Sequence, residues 1–248
     1  MKMKKYPFQK VADHFKRSEE YRTRKGIIHD KEDPLMIEFI HSHASSGDRI
    51  LEVGGGSGAF LDLVLENTKI KEAYNLELVY EAYKKQVNEK ICLMGGNALD
   101  IPFKEFSFDW VVVKNLLHHL VGRTRRESKA FAKRAVGELA RVTKGGGYLL
   151  ILDQYNKHRF FSSVIFYLTL LFSTFSVGFK SFGWGKNVIV SFLTPDETRK
   201  FLTKTGNLEI VLSRENRLDV SKKYKYTFLM SNIGRLVVIT RKRKEIQS

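Results

Sequence analysis

The chain has 248 residues, 43% of them hydrophobic and 28% charged, which allows a full core and excludes a disordered polypeptide. Its single cysteine, Cys92, excludes an intramolecular disulfide and a cysteine-based zinc cluster. The formal net charge of +16 favours anionic partners, nucleic acid or a lipid surface, although part of it lies in solvated runs at Lys2, Lys4, Lys5 and Arg241–Lys244.

Met1–Pro7 has no apolar run behind it and does not read as a secretory leader. Phe8, Val11, Phe15 and Tyr21 recur at helical spacing, and the pattern predicts a helix over the first part of 8–25. Asp33-Pro34 opens a second helix, with Asp33 as cap and Pro34 at the first helical position. Arg49–Val53 reads as a short buried strand ending in Gly54-Gly55-Gly56-Ser57-Gly58, and Phe60, Leu61, Val64 and Leu65 mark the helix after it. Further strands are expected at Glu72–Leu78, Ile91–Met94, Phe108–Val113 and Tyr148–Asp153, with late ones at Leu208–Leu212 and Ile233–Thr240. Helices are expected over Tyr80–Val87, over Thr124–Val142 with a stop at Lys144–Gly147, and from Thr194-Pro195-Asp196-Glu197 to Thr205. Cys92, among apolar neighbours, is expected in the core. Strands alternating with helices predict right-handed crossovers and a doubly wound, mostly parallel sheet of Rossmann-like type, with ligands outside the carboxyl ends of the strands. That rule gathers Gly54, Glu77, Asn97, Asn115 and Asp153 at one rim.

Four glycines within five residues let the backbone turn sharply and let a ligand approach it, with the unpaired N–H groups of the next helix behind. Two cofactors suit such a turn. Gly54, Gly56 and Ala59 satisfy the dinucleotide pattern, and Glu52 before Gly54, Gly56 and Gly58 satisfies an acid followed by alternate glycines. The second pattern resembles the first motif of class I S-adenosylmethionine-dependent methyltransferases. The resemblance extends to the ubiquinone/menaquinone-biosynthesis-like members through Gly96–Phe103 with Phe106–Asp109, Asn115–Leu120, Glu138–Gly146 and Leu193–Glu197. It is good over roughly residues 45–155 and looser at both ends.

The resemblance implies a single seven-stranded domain: an N-terminal helical lid (1–45), a cofactor-binding core (46–154), an apolar cap (155–193) and a C-terminal helix and strands (194–248). It implies S-adenosylmethionine as cofactor. Glu52 would organise the turn and the cofactor's ammonium, and Gly54, Gly56 and Gly58 would line its methionine part. Glu77 would take the ribose, Leu78 would pack on the adenine, Asn97 with Ala98 would read the adenine edge, and Asn115 would lie beside the cofactor. Asn97 stands where the family usually has Asp, and an Asn oxygen can still accept. His118 and His119 are the candidate general bases by position, and Asp153 and Tyr155 could orient an acceptor. No metal is expected; His41 and His43 have no partner cluster.

Phe160–Phe179 carries no charge, six Phe and a small polar stripe at Ser162, Thr169, Ser173 and Ser176. It reads first as an apolar helix over the site, with Phe182 and Trp184 adding to the cap, and beside that as a membrane-surface contact, with a span or a dimer face as the remaining alternatives. The expected acceptor is therefore small and apolar or lipid-like, and the expected location cytoplasmic, peripheral at the inner face of an anionic membrane. Three rivals stand beside this reading: an RNA or protein methyltransferase using the basic surface, of which Lys222–Tyr226 is the strongest sign; an NAD-dependent oxidoreductase; and a non-catalytic binding module.

Overall fold

The computed structural model describes residues 7–17, 30–84, 88–174, 188–205, 207–218 and 232–244. Readings that fall on Tyr21, Phe175–Phe179, Phe182–Gly185, Gly206 and Ser221–Tyr226 lie outside the described residues. In chain order the elements are α1 (Pro7–Arg17), α2 (Asp33–His43), β1 (Arg49–Val53), α3 (Ala59–Asn67), β2 (Glu72–Glu77), α4 (Tyr80–Tyr83), β3 (Ile91–Gly95) and β4 (Phe108–Lys114). A helical turn at Leu117–His119 follows, then α5 (Arg125–Val142), β5 (Thr143–Asn156), α6 (Arg159–Thr174), α7 (Pro195–Thr203), β6 (Leu208–Arg217) and β7 (Ile233–Lys242).

The seven strands form one sheet in the order β3-β2-β1-β4-β5-β7-β6. Only β7 runs antiparallel to its neighbours. The apolar runs of the central strands are buried on both faces, so alternate residues serve different cores. Leu51, Val53, Val111, Val113, Leu149 and Ile151 pack under α5 with Val136 and Leu139. Ile50, Trp110, Val112, Leu150 and Leu152 pack on the other side with Met36, Ile40, Phe60 and Val64 of α2 and α3.

Local chemistry explains most boundaries. Thr124 caps α5 by accepting from the Glu127 N–H at 3.1 Å. Thr194 and Glu197 form a reciprocal capping box at α7, with Pro195 as the first helical residue. Several expectations need correction. Glu32, not Asp33, occupies the cap position of α2; the Asp33 carboxylate accepts from the Asp30 N–H and reaches Lys114 instead. The glycines at 145–147 do not stop α5 but lie inside β5, because the helix already ends where Thr143 turns extended and Lys242 Nζ donates to the Ala140 and Thr143 carbonyls. α7 ends at Thr203, not Thr205, and β6 and β7 run further than their apolar cores, to Arg217 and Lys242. Cys92 is exposed, because β3 is the edge of the sheet and its outward side chains have no second layer over them.

Candidate active site

The rim at the carboxyl ends of β1, β2 and β4 encloses a cavity of about 340 Å³. Gly54, Gly56 and Gly58 all take left-handed backbone angles, with φ of +76°, +55° and +76°. L side chains resist that region, which accounts for glycine at alternate positions. Gly55 is needed for a different reason: a Cβ there would stand 2.5 Å from Glu52 Oε2 and 2.7 Å from Asn75 Oδ1. Glu52 is thus packed beneath the turn. Burial pushes its carboxyl up to about 7, against the opposing pull of Lys114.

Glu77, at the end of β2, accepts from the Gly56 N–H and the Val79 N–H, each at 3.0 Å, so it ties the glycine turn to its own strand. Burial raises its pKa. Each carboxylate oxygen keeps a second lone pair for a ligand. Asn97 Oδ1 accepts from the Leu99 N–H at 2.9 Å, which shapes the turn below the cavity. Asn115 takes a left-handed conformation, φ +52°, as a rare non-glycine case. Its Nδ2 donates to Asp30 at 3.1 Å, while its Oδ1 is buried with no partner among the described residues.

A charge network backs this rim. Lys114 pairs with Asp33 at 2.5 Å and Asp30 at 3.3 Å. Arg235 of β7 pairs with Asp30 at 2.9 Å and Glu32 at 3.0 Å. Burial raises the pKa of Asp33. It acts the same way on Glu32, but hydrogen bonds from Asn216 and Arg235 outweigh it and lower that group.

Next to the rim, Asp153 accepts from the backbone N–H of His118 at 3.1 Å and also binds His118 Nδ1. The second bond fixes the tautomer, with the proton on Nδ1 and the lone pair on Nε2. His119 lies against His118, ring centroids 4.0 Å apart, and against Phe15 of α1. Burial first, and His118 second, hold its pKa well below the usual imidazole range, so it is neutral near neutral pH.

Of the residues expected at the cofactor site, Gly54, Gly56, Glu77, Leu78, Asn97, Ala98 and Asn115 line this cavity together with His118 and His119. Glu52 lies behind the wall and Gly58 beyond it, at the cap of α3. Tyr155 packs in the core under α5 rather than on the wall. The sequence reading missed Lys114, Gln154, Phe15, Tyr83 and Phe131, which also line it. A lysine closing the apolar run of β4 was a usable signal, since the carboxyl end of a parallel strand is where ligands bind.

A family profile described as a methyltransferase domain matches residues 51–151. Residues 51–151 thus resemble a methyltransferase domain of the class I S-adenosylmethionine-dependent type. It is similar to the uncharacterized methyltransferase YcgJ of Bacillus subtilis, 28% identical over 145 residues, 56% of this chain and 53% of that protein. It is also similar to the Homo sapiens protein named "Probable tRNA methyltransferase 9B", 27% identical over 129 residues, 50% of this chain and 26% of that one. The chain therefore spans about half or less of these relatives' length. In fold it resembles geranyl diphosphate C-methyltransferase of Streptomyces coelicolor, with a TM-score of 0.63 at 10% identity over 95% of this chain and 98% of that one.

The residues around the cavity fit S-adenosylmethionine as a cofactor. The unpartnered Asn115 Oδ1 offers an acceptor for an ammonium, Gly54 and Gly56 present backbone without a Cβ, and Glu77 offers acceptor sites for vicinal hydroxyls. Leu76, Leu78, Val79 and Leu99 supply apolar wall for a flat base.

Proposed function

We propose that this methyltransferase transfers the methyl group of S-adenosylmethionine to a small, apolar or lipid-like acceptor. Bound cofactor supplies an electrophilic methyl on a good leaving group, so alignment carries much of the rate. The observation that carries the reading is the wall beyond Asn115. There the cavity passes from polar rim to Val11 and Phe15 of α1, Leu120 just after the Leu117–His119 turn and Phe131 of α5, with the Asp153-bound His118 among them.

Each protein group has a task in this scheme. The glycine turn, Glu77, Asn97 and Asn115 fix the cofactor against the sheet edge, and α1 closes over it and limits water. Asp153 holds His118 in the tautomer that accepts a proton at Nε2 and stabilises the imidazolium that results. His118 thus removes a proton from an acceptor hydroxyl or amine as the bond forms. Neutral His119 beside it adds no positive charge to oppose that protonation.

The test is methyl transfer from tritium-labelled S-adenosylmethionine to a panel of phenolic, isoprenoid and lipid acceptors and to bulk tRNA. Label in an apolar acceptor, lost in His118→Ala, is the expected result. Label only in tRNA would sink the reading. That second outcome has support of its own: similar proteins are named as tRNA methyltransferases, and Arg126, Lys133 and Arg134 of α5 are exposed.

A further inference from the structure

α6 is turned inside out. Arg159 is its only charged residue, yet its outer face is open to water. Phe160, Tyr167 and Leu171 are 70%, 52% and 50% exposed. Their spacing, with half-buried Val164 between, puts them on one stripe. The small polar residues point the other way: Ser162, Thr169 and Ser173 are buried, and the hydroxyls of Ser162 and Ser173 have no partner among the described residues. A helix answering only to water would place these sets in the opposite arrangement.

Cations border the apolar face. Arg159 and Lys129 of α5 both reach the buried Glu197 carboxylate, at 3.1 Å and 2.6 Å, so the two helices adjoin there. From that junction Arg126, Lys129 and Lys133 run along the outer face of α5 at helical spacing. An apolar stripe edged by lysine and arginine matches one occupant, the headgroup layer of a bilayer with anionic lipids: aromatic and aliphatic groups enter the acyl boundary and cations meet phosphates. RNA would use the cations but would leave the apolar stripe uncovered.

We infer that the outer face of α6, with the cationic edge of α5, docks the protein on an anionic membrane. The inner side of α6 packs through Phe166 and Leu170 against Val11 and Phe15 of the helix that walls the cavity. Docking therefore sets the lid of the site next to the bilayer. This inference rests on the proposed function only for what the bilayer delivers, a lipid-like acceptor.

The experiment is co-sedimentation with phosphatidylcholine vesicles, with and without a minority of phosphatidylglycerol, at low and high salt. Wild type should pellet with the anionic vesicles and be released by salt. The triple variant Phe160→Ser/Tyr167→Ser/Leu171→Ser and the double variant Arg126→Glu/Lys133→Glu should each weaken binding by about tenfold or more. A rise in melting temperature with S-adenosylhomocysteine certifies that each variant is folded. It also separates the two claims: no such rise in wild type would remove the methyltransferase reading and leave the vesicle result standing. The docking inference is overturned if wild type binds neither vesicle, or if the triple variant binds as wild type does. It is also overturned if that variant instead dissociates a dimer in which a second copy covers the stripe, or if RNA at equal phosphate strips wild type from the vesicles.

Discussion

The two ends of the cavity are built from different materials. At the end proposed to hold the cofactor, the wall is largely backbone and buried charge: a turn of left-handed glycines, a carboxylate tied to two N–H groups, and an ion network behind them. At the end proposed to take the acceptor it is side chain on helix: Val11 and Phe15 of α1, Phe131 of α5, and α6 packed behind. Backbone geometry admits few substitutions, whereas apolar helix faces can be exchanged at similar volume. In the proposed scheme the first end tolerates little change, whereas the second can be altered without disturbing it.

Four measurements test that contrast. The largest effect is expected where the two ends meet. His118→Ala should lower kcat by roughly 10²–10⁴-fold with S-adenosylhomocysteine affinity unchanged, as for loss of a general base. If kcat survives, His118 only packs. Next is the turn itself. Val at Gly54 must adopt φ +76° and displace Leu116, whose side chain would lie 3.1 Å from the new Cβ. The expected loss of S-adenosylhomocysteine affinity is about tenfold or more, from roughly 1–2 kcal/mol of left-handed strain alone. At the other end Phe131→Ala should raise the acceptor KM several-fold and leave cofactor affinity alone; equal loss of both would erase the division drawn above.

The smallest effect is a pH slope. Glu52 sits near 7 in the free protein, and a cationic cofactor nearby favours its ionised form. Below about pH 7 binding must expel a proton, so affinity for S-adenosylmethionine should fall as pH drops from 8 to 6, and by less than tenfold per pH unit. Glu52→Gln should flatten the slope. The same group works against folding. Its folded pKa lies above the unfolded 4.5, so the native state holds more protons between about pH 4.5 and 7, and stability declines as pH rises through that window. Glu52→Gln should accordingly raise the melting temperature at pH 8, most clearly without ligand, and a lowered one would refute the account.

The same contrast explains what could be read in advance. The left-handed turn at Gly54, Gly56 and Gly58 and the rim positions of Glu77, Asn97 and Asn115 were legible because a backbone turn and a strand end each require particular residue types at fixed spacing. The sheet was equally legible, since apolar runs of strand length separated by helical periods leave few topologies. The bounds of β5, β6 and β7 were not, because pairing with neighbours carries strands past their apolar centres. Asp153 was placed at the rim but its bond to His118, 35 residues earlier, needed the fold. Nor could the periodicity of Phe160–Thr174 say which side faced inward, because a serine stripe can satisfy a tight helix contact as readily as it can face water.

One feature of the sheet reaches into how the protein is made. β7 is synthesised after β6 yet lies between β5 and β6. Until it emerges, β6 has no strand to pair with and β5 keeps an open edge. Arg235, carried on β7, is also a cation that holds Asp30, together with Lys114, and Glu32 behind the rim of the cavity. A nascent chain thus completes the glycine turn early but lacks part of its electrostatic support for nearly two hundred residues of synthesis. Cofactor affinity in ribosome-bound chains of increasing length should therefore appear late and abruptly, when the chain past Lys242 clears the exit tunnel, rather than when the turn itself does.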